Sequence, residues 1–109
     1  MATEYKVLGQ TAPAATTNTD VYTVPAATEA IVSTIVVCNR AAAAGTFRIA
    51  VRPSGAAIAD EHYIAFDVAI SANDSTNLTI GVTVGSGDIL TVYCSSASMS
   101  VSVFGSEIS

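Results

Sequence analysis

Residues 77–84, NLTIGVTV, alternate apolar and small side chains along their whole length. The same period of two recurs in residues 47–52, FRIAVR, and in residues 98–103, SMSVSV. Because successive side chains of a β-strand point to opposite faces, this alternation indicates strands with one buried and one exposed face. The three stretches therefore predict an all-β protein.

Further strands are predicted between turn-forming residues. Residues 62–70 alternate so that Ile64 and Phe66 should share a buried face with Val68 and Ile70, and Ile80 should be buried in the same way. Residues 30–38 are apolar on both faces, which predicts a central strand covered on both sides. The total of about eight strands, at a spacing of roughly 8–12 residues, predicts an antiparallel β-sandwich that is jelly-roll-like.

The composition bears on domain organisation and on the kind of surface. The 109 residues predict a single domain over residues 1–109, with residues 1–19 as an N-terminal arm. Only 12% of the residues are charged, well below the roughly 25% of typical soluble domains. A surface with few charges costs little to desolvate, so it favours permanent contact with other subunits. We expect the arm to make such contacts, and we expect the fold to survive its removal.

The net charge of −5 excludes several partners. No basic stripe is present to neutralise phosphates, so we expect no nucleic acid and no anionic membrane surface as a partner. No apolar run approaches the roughly 20 residues of a membrane-spanning helix. The start of the sequence lacks an apolar leader segment, so we expect synthesis in a cytoplasm.

The four cations, Lys6, Arg40, Arg48 and Arg52, are the candidate interface residues. The three arginines fall on one predicted hairpin, and arginine is enriched at protein interfaces. They are expected to contact an acidic neighbouring subunit. The alternative is solvation, or pairing within the chain to Glu29 or Asp67.

Two cysteines, Cys38 and Cys94, are 56 positions apart. Both end apolar stretches, so we expect two buried thiols that act as small hydrophobic side chains. A disulfide between them is the alternative. The spacing gives no zinc site.

Candidate catalytic residues are few. His62 is the only histidine and follows Asp60 and Glu61. Adjacent residues on a strand point to opposite faces, so these three are not expected to converge on a metal ion. The serines of residues 98–103 lack a Gly-x-Ser-x-Gly elbow. We therefore expect no enzyme activity, no cofactor and no metal.

Five short segments carry a resemblance to a known group of proteins. They are residues 6–10 (KVLGQ), 22–25 (YTVP), 37–40 (VCNR), 48–53 (RIAVRP) and 104–108 (FGSEI). With these segments, the chain resembles small virion structural proteins of tailed bacteriophages over nearly its whole length. The resemblance implies a component of a phage particle, and it brings no catalytic residues with it.

The resulting hypothesis is a non-enzymatic virion protein, assembled in the host cytoplasm. The first expectation is a capsid decoration (cement) protein that contacts the major capsid protein or other virion subunits and forms a homo-oligomer, with a trimer favoured. The alternative is a tail, neck or baseplate component, such as a fibre-attachment module. A carbohydrate-binding module is the second alternative, and Tyr5, Tyr22 and Tyr63 would be its stacking platforms.

Overall fold

The computed structural model describes residues 2–109 and confirms the all-β prediction. Its eight strands are β1 (Thr3–Thr11), β2 (Thr19–Thr23), β3 (Glu29–Asn39), β4 (Gly45–Arg52), β5 (Tyr63–Ile70), β6 (Ser75–Val84), β7 (Ile89–Cys94) and β8 (Met99–Ile108). Two single 3₁₀ turns, Pro53–Gly55 and Asp60–His62, lie between β4 and β5. Within residues 2–109, no helix is long and apolar enough to cross a membrane.

The strands form two four-stranded antiparallel sheets. Sheet A has the order β1-β8-β3-β6, and sheet B has the order β2-β7-β4-β5. The pairs β1–β8, β2–β7, β3–β6 and β4–β5 are nested inside one another along the chain. Eight strands in two sheets with this nesting make a jelly roll, as the sequence predicted.

The core is the layer between the two sheets. The period of two turns every second side chain inward, so that Ile35 on β3 and Phe47 on β4 are almost fully buried from opposite sides. The remaining large buried side chains are aliphatic or thioether: Val24, Val32, Val37, Ile49, Ile70, Leu90, Val92, Met99, Val101 and Val103. Burying side chains of this size contributes about 1.5–3 kcal/mol each before entropy is counted.

Three side chains that the sequence predicted to face the core are exposed, because the strand pairing shifts register near them. The pairing of β3 with β6 shifts between Val32 and Thr34, and Ile80 is consequently 37% exposed. The pairing of β4 with β5 shifts on both sides of Ile49. This shift turns Ala65 inward and leaves Ile64 and Phe66 exposed at 44% and 55%. A strict period of two fails wherever a strand contains an extra residue.

Strand β3 is central in sheet A but is covered on one face only. Its burial alternates strictly at the start, and Ile31 is 40% exposed. The prediction of a strand buried on both sides was therefore wrong for this chain taken alone.

The N-terminal segment is part of the sandwich. Thr3–Thr11 pairs with β8 along its length, and Ala2 and Ser109 exchange two backbone hydrogen bonds of 2.7 and 2.9 Å. Residues 2–19 thus contain an edge strand and not a projecting arm, while Met1 lies outside the described residues. Removing this segment would expose the edge of β8, so the expectation that the fold survives its loss does not agree with the structure.

The two cysteines are free thiols on different sheets. Cys94 on β7 is fully buried in the core, and burial raises the pKa of its thiol to about 11. Cys38 on β3 is half-buried, and it alternates with the buried Val37 and Asn39, so it lies on the outer face of sheet A. The buried-thiol prediction holds for Cys94, whereas Cys38 is partly accessible. The disulfide alternative does not fit this placement.

Candidate interaction surfaces

The polar cluster around His62 serves the loop that contains it. The His62 Nδ1 accepts a hydrogen bond of 3.0 Å from the backbone N–H of Ala59, and the backbone N–H of His62 donates to the carbonyl of Ala59. Asp60 and Glu61 are exposed beside it. Within residues 2–109, no group of three or more His, Cys, Asp and Glu side chains is placed to hold a metal ion. The geometry around His62 therefore closes a turn.

The outer face of sheet A carries almost no charge, and we call it the neutral face. Its outward positions follow from the register of the four strands, and they are mostly serine, threonine and apolar residues. Glu29, at the start of β3, is the one charged residue among them in the described part of the chain. Besides Glu29, the outward residues of the two central strands are Ile31, Ser33, Thr34, Val36 and Cys38 on β3, and Ser100, Ser102, Phe104, Ser106 and Ile108 on β8.

A shallow groove of about 480 Å³ crosses the neutral face. Tyr5 on β1 and Ile31 on β3 flank it, and both pair in register with the small Ser106 on β8 between them. The rest of its lining is Lys6, Val7, Ser33, Phe104 and Gly105. The flanking side chains are open to solvent, because Tyr5 is 87% exposed and Ile31 is 40% exposed. The groove is a place where large side chains of a partner can be received.

Gly105 lines the groove and allows β8 to lie close to β3. A Cβ atom at this position would collide with the carbonyl oxygen of Ile31. Any larger residue would push the two central strands of sheet A apart.

A three-residue network joins the two sheets beside the groove. Glu107 on β8 accepts a bond of 2.6 Å from Lys6 on β1 and one of 2.5 Å from the hydroxyl of Tyr22 on β2. These two hydrogen bonds, first that from Lys6, lower the pKa of the Glu107 carboxyl. Burial and the nearby carboxylate raise the pKa of Tyr22. The charge of Lys6 is therefore neutralised within the chain.

Sheet B has a charged and aromatic outer face. Arg48 donates two hydrogen bonds of 2.7 and 3.3 Å to Asp67, and its guanidinium lies over the rings of Phe66 and Tyr93 at 4.2 and 4.4 Å from their centroids. Tyr63 packs edge-on against Phe66 with ring centroids 4.9 Å apart. The hydrogen bond from Arg48 lowers the pKa of Asp67. These contacts hold the guanidinium between partners of its own sheet.

The four predicted interface cations are not brought together. Lys6 lies at the edge of sheet A, whereas Arg48 and Arg52 lie on sheet B, and Arg40 follows β3 and donates to the carbonyl of Ala97 at 3.4 Å. Arg52 pairs with Asp20 at 2.9 Å. Three of the four thus have a carboxylate partner within the chain, and for Arg48 it is Asp67, the partner named as the alternative.

The predicted carbohydrate platforms are also separated. Tyr22 is buried, Tyr63 is half-buried against Phe66, and Tyr5 stands on the opposite sheet from Tyr63. The exposure of Ile31 and Phe66 was not predicted from the sequence. Their alternation was visible, but which face is exposed depends on bulges and on pairings between distant strands.

No protein-family model matches the chain, and neither a curated protein nor a solved structure matches it.

Proposed function

We propose that this chain is a non-enzymatic structural protein that acts by permanent contact with other subunits through its neutral face. The observation that carries the proposal is the neutral face itself. Four adjacent strands present an outer face with one charged residue at its end, and Tyr5, Val7 and Ile31 are exposed on it. The chain has a net charge of −5, and charged side chains are ordinarily spread over the whole surface of a soluble domain. A face with a single charged residue departs from this pattern.

The neutral face suits a contact between proteins on energetic grounds. Its serine and threonine hydroxyls cost much less to bury than charged groups. Its exposed Tyr5 is of a residue type that is enriched among the side chains contributing most at interface centres. Exposed apolar patches on a small domain commonly mark interaction sites.

We place this contact in the particle of a tailed bacteriophage, as a capsid decoration protein of the head. The support is the resemblance of the five sequence segments and the compatibility of the jelly roll with this role, since viral capsid domains use that fold. A fold by itself does not decide a function. Bound in many copies, a small domain adds many modest contacts into a large total.

The test is the copy number of the protein in purified particles, measured by quantitative mass spectrometry against the major capsid protein. Near-stoichiometric amounts support a head decoration protein. A few copies to a few tens contradict decoration and favour the neck, tail or baseplate. Absence from particles overturns the virion proposal.

A matched pair of variants tests the surface. Ile31 on the neutral face and Ile64 on sheet B are similarly exposed, at 40% and 44%. We expect Ile31→Lys to lose incorporation into particles, because it places a charge inside the contact. Ile64→Lys should be incorporated like the wild type. Equal incorporation of both variants would show that the neutral face is not the contact surface.

A further inference from the structure

The neutral face has a relief that alternates large and small side chains across the strands. One row across the sheet is Tyr5, Ser106, Ile31 and Thr83, on β1, β8, β3 and β6 in that order. The order of side-chain sizes in this row is large, small, large, small. If a second copy of the row faces it in the reverse order, every large side chain lies opposite a small one.

We propose that the neutral face binds a second copy of this chain, with a two-fold axis that runs along the strands between β8 and β3. This inference rests on the proposed function, because it names the partner of the same face. The axis places β8 of one copy over β3 of the other and β1 over β6. Each Ile31 then lies over Ser106 of the other copy, in the groove, and each Tyr5 lies over Thr83.

Two other rows fit the same axis. Phe104 and Thr34 are paired in register on β8 and β3, and so are Ser102 and Val36. Under the two-fold axis each of these residues meets the other member of its own row, which sets a large side chain against a small one. A surface that binds itself in this way is isologous, the commonest arrangement in homo-oligomers.

The area of the neutral face and the net charge of the chain both support a second copy as its partner. Strand spacing and rise give a four-stranded face of about 600 Å² per copy, or about 1,200 Å² for the pair. This reaches the lower limit of about 1,200 Å² for stable complexes. Two copies that each carry a net charge of −5 repel each other. They can approach most closely through the face that is nearly free of charge, with Glu29 at its end.

Sedimentation equilibrium of the full chain tests the pairing. We expect a dimer at about 100 μM, and we expect Ile31→Lys to weaken the dimer by about tenfold or more, whereas Ile64→Lys leaves it unchanged. A monomer at this concentration would overturn the inference. A trimer, the assembly expected from the sequence, would overturn it as well, and so would equal weakening by both variants.

Cross-linking tests the axis. In a Cys38→Ser background, a mixture of Ile31→Cys and Ser106→Cys chains should form mixed disulfides faster than either chain alone. No preference for the mixed product would overturn the axis.

The two proposals fail separately. A dimer that is absent from particles refutes the virion function and keeps the pairing, and a monomer that is abundant in particles does the reverse.

Discussion

The hydrogen bond between Tyr22 and Glu107 joins the two sheets, and we expect its loss to lower the free energy of unfolding. Tyr22 on β2 is 7% exposed, and its hydroxyl donates to the carboxylate of Glu107 on β8 at 2.5 Å. Tyr22→Phe removes only this hydroxyl. Because hydrogen bonds to charged groups contribute about 1.5–3 kcal/mol, the variant should lower the free energy of unfolding by that amount at pH 7.

The loss should depend on pH. The pKa of Glu107 is lower in the folded state than its unfolded value of about 4.3, so its contribution is present above that pH and disappears as the pH falls through the folded pKa. Once the carboxyl is protonated, the effect of Tyr22→Phe should fall to about 1 kcal/mol, the value for a neutral hydrogen bond. The pKa of Tyr22 is raised in the folded state, so wild-type stability should decline as the pH rises above about 10.

Urea denaturation at several pH values measures these differences. Tyr5→Phe is the matched control, because Tyr5 is 87% exposed and its hydroxyl is in solvent. We expect this control to change stability by less than about 0.5 kcal/mol. In an E107Q background, Tyr22→Phe should cost less than in the wild type, because a neutral acceptor replaces the carboxylate. A loss at pH 7 no greater than that of Tyr5→Phe would refute the reasoning.

Three further changes have expected outcomes. Gly105→Ala should destabilise the fold by at least about 2 kcal/mol in urea, because the new methyl group meets the carbonyl of Ile31, and wild-type stability would refute that close approach. Asn39→Ala should lower the free energy of unfolding, measured by thermal unfolding, by about 2–3 kcal/mol. The buried Asn39 amide donates to the carbonyls of Ala43 and Ser71 and accepts from a backbone N–H. A smaller loss would mean that water replaces the amide. The Cys94 thiol should resist alkylation at pH 8 until the protein unfolds, as followed by mass spectrometry of the intact chain, and prompt modification would contradict its burial.

The sequence predicted the class of the fold because a period of two is a local signal. The eight strands and their antiparallel arrangement followed from alternation and from turn residues such as Gly85 and Gly87. The face of each strand was harder to predict, as Ile64, Phe66 and Ile80 demonstrate. One inserted residue reverses every side chain beyond it, and a bulge leaves no reliable mark in the local sequence.

The sequence predicted that a contact surface with few charges exists, but it did not predict which residues form that surface. The low charge of the chain is a property of composition, and it was enough to indicate a contact surface. The residues that form this surface come from β1, β3, β6 and β8, which are far apart in sequence. Tyr5 and Ile31 become neighbours only through Ser106, so their groove depends on long-range register. Arg48 and Arg52 were conspicuous as rare cations, yet each has a carboxylate partner within the chain.

The nested strand pairing determines when the chain can complete its fold. Strand β1 is the first to be translated, but its only neighbour in sheet A is β8, the last strand. Strand β3 also pairs with β8 on one side, and it pairs with β6 on the other. At about 5–20 residues per second, the ribosome needs roughly 5–20 s to cover the distance between β1 and β8. Sheet A is therefore completed only after β8 has left the ribosome, and folding should then take milliseconds to seconds, on the order usual for β-sandwiches with long-range pairing. Until that moment β1 and the edge of β3 that receives β8 have no partner strand, and the cell must keep them from pairing with other chains.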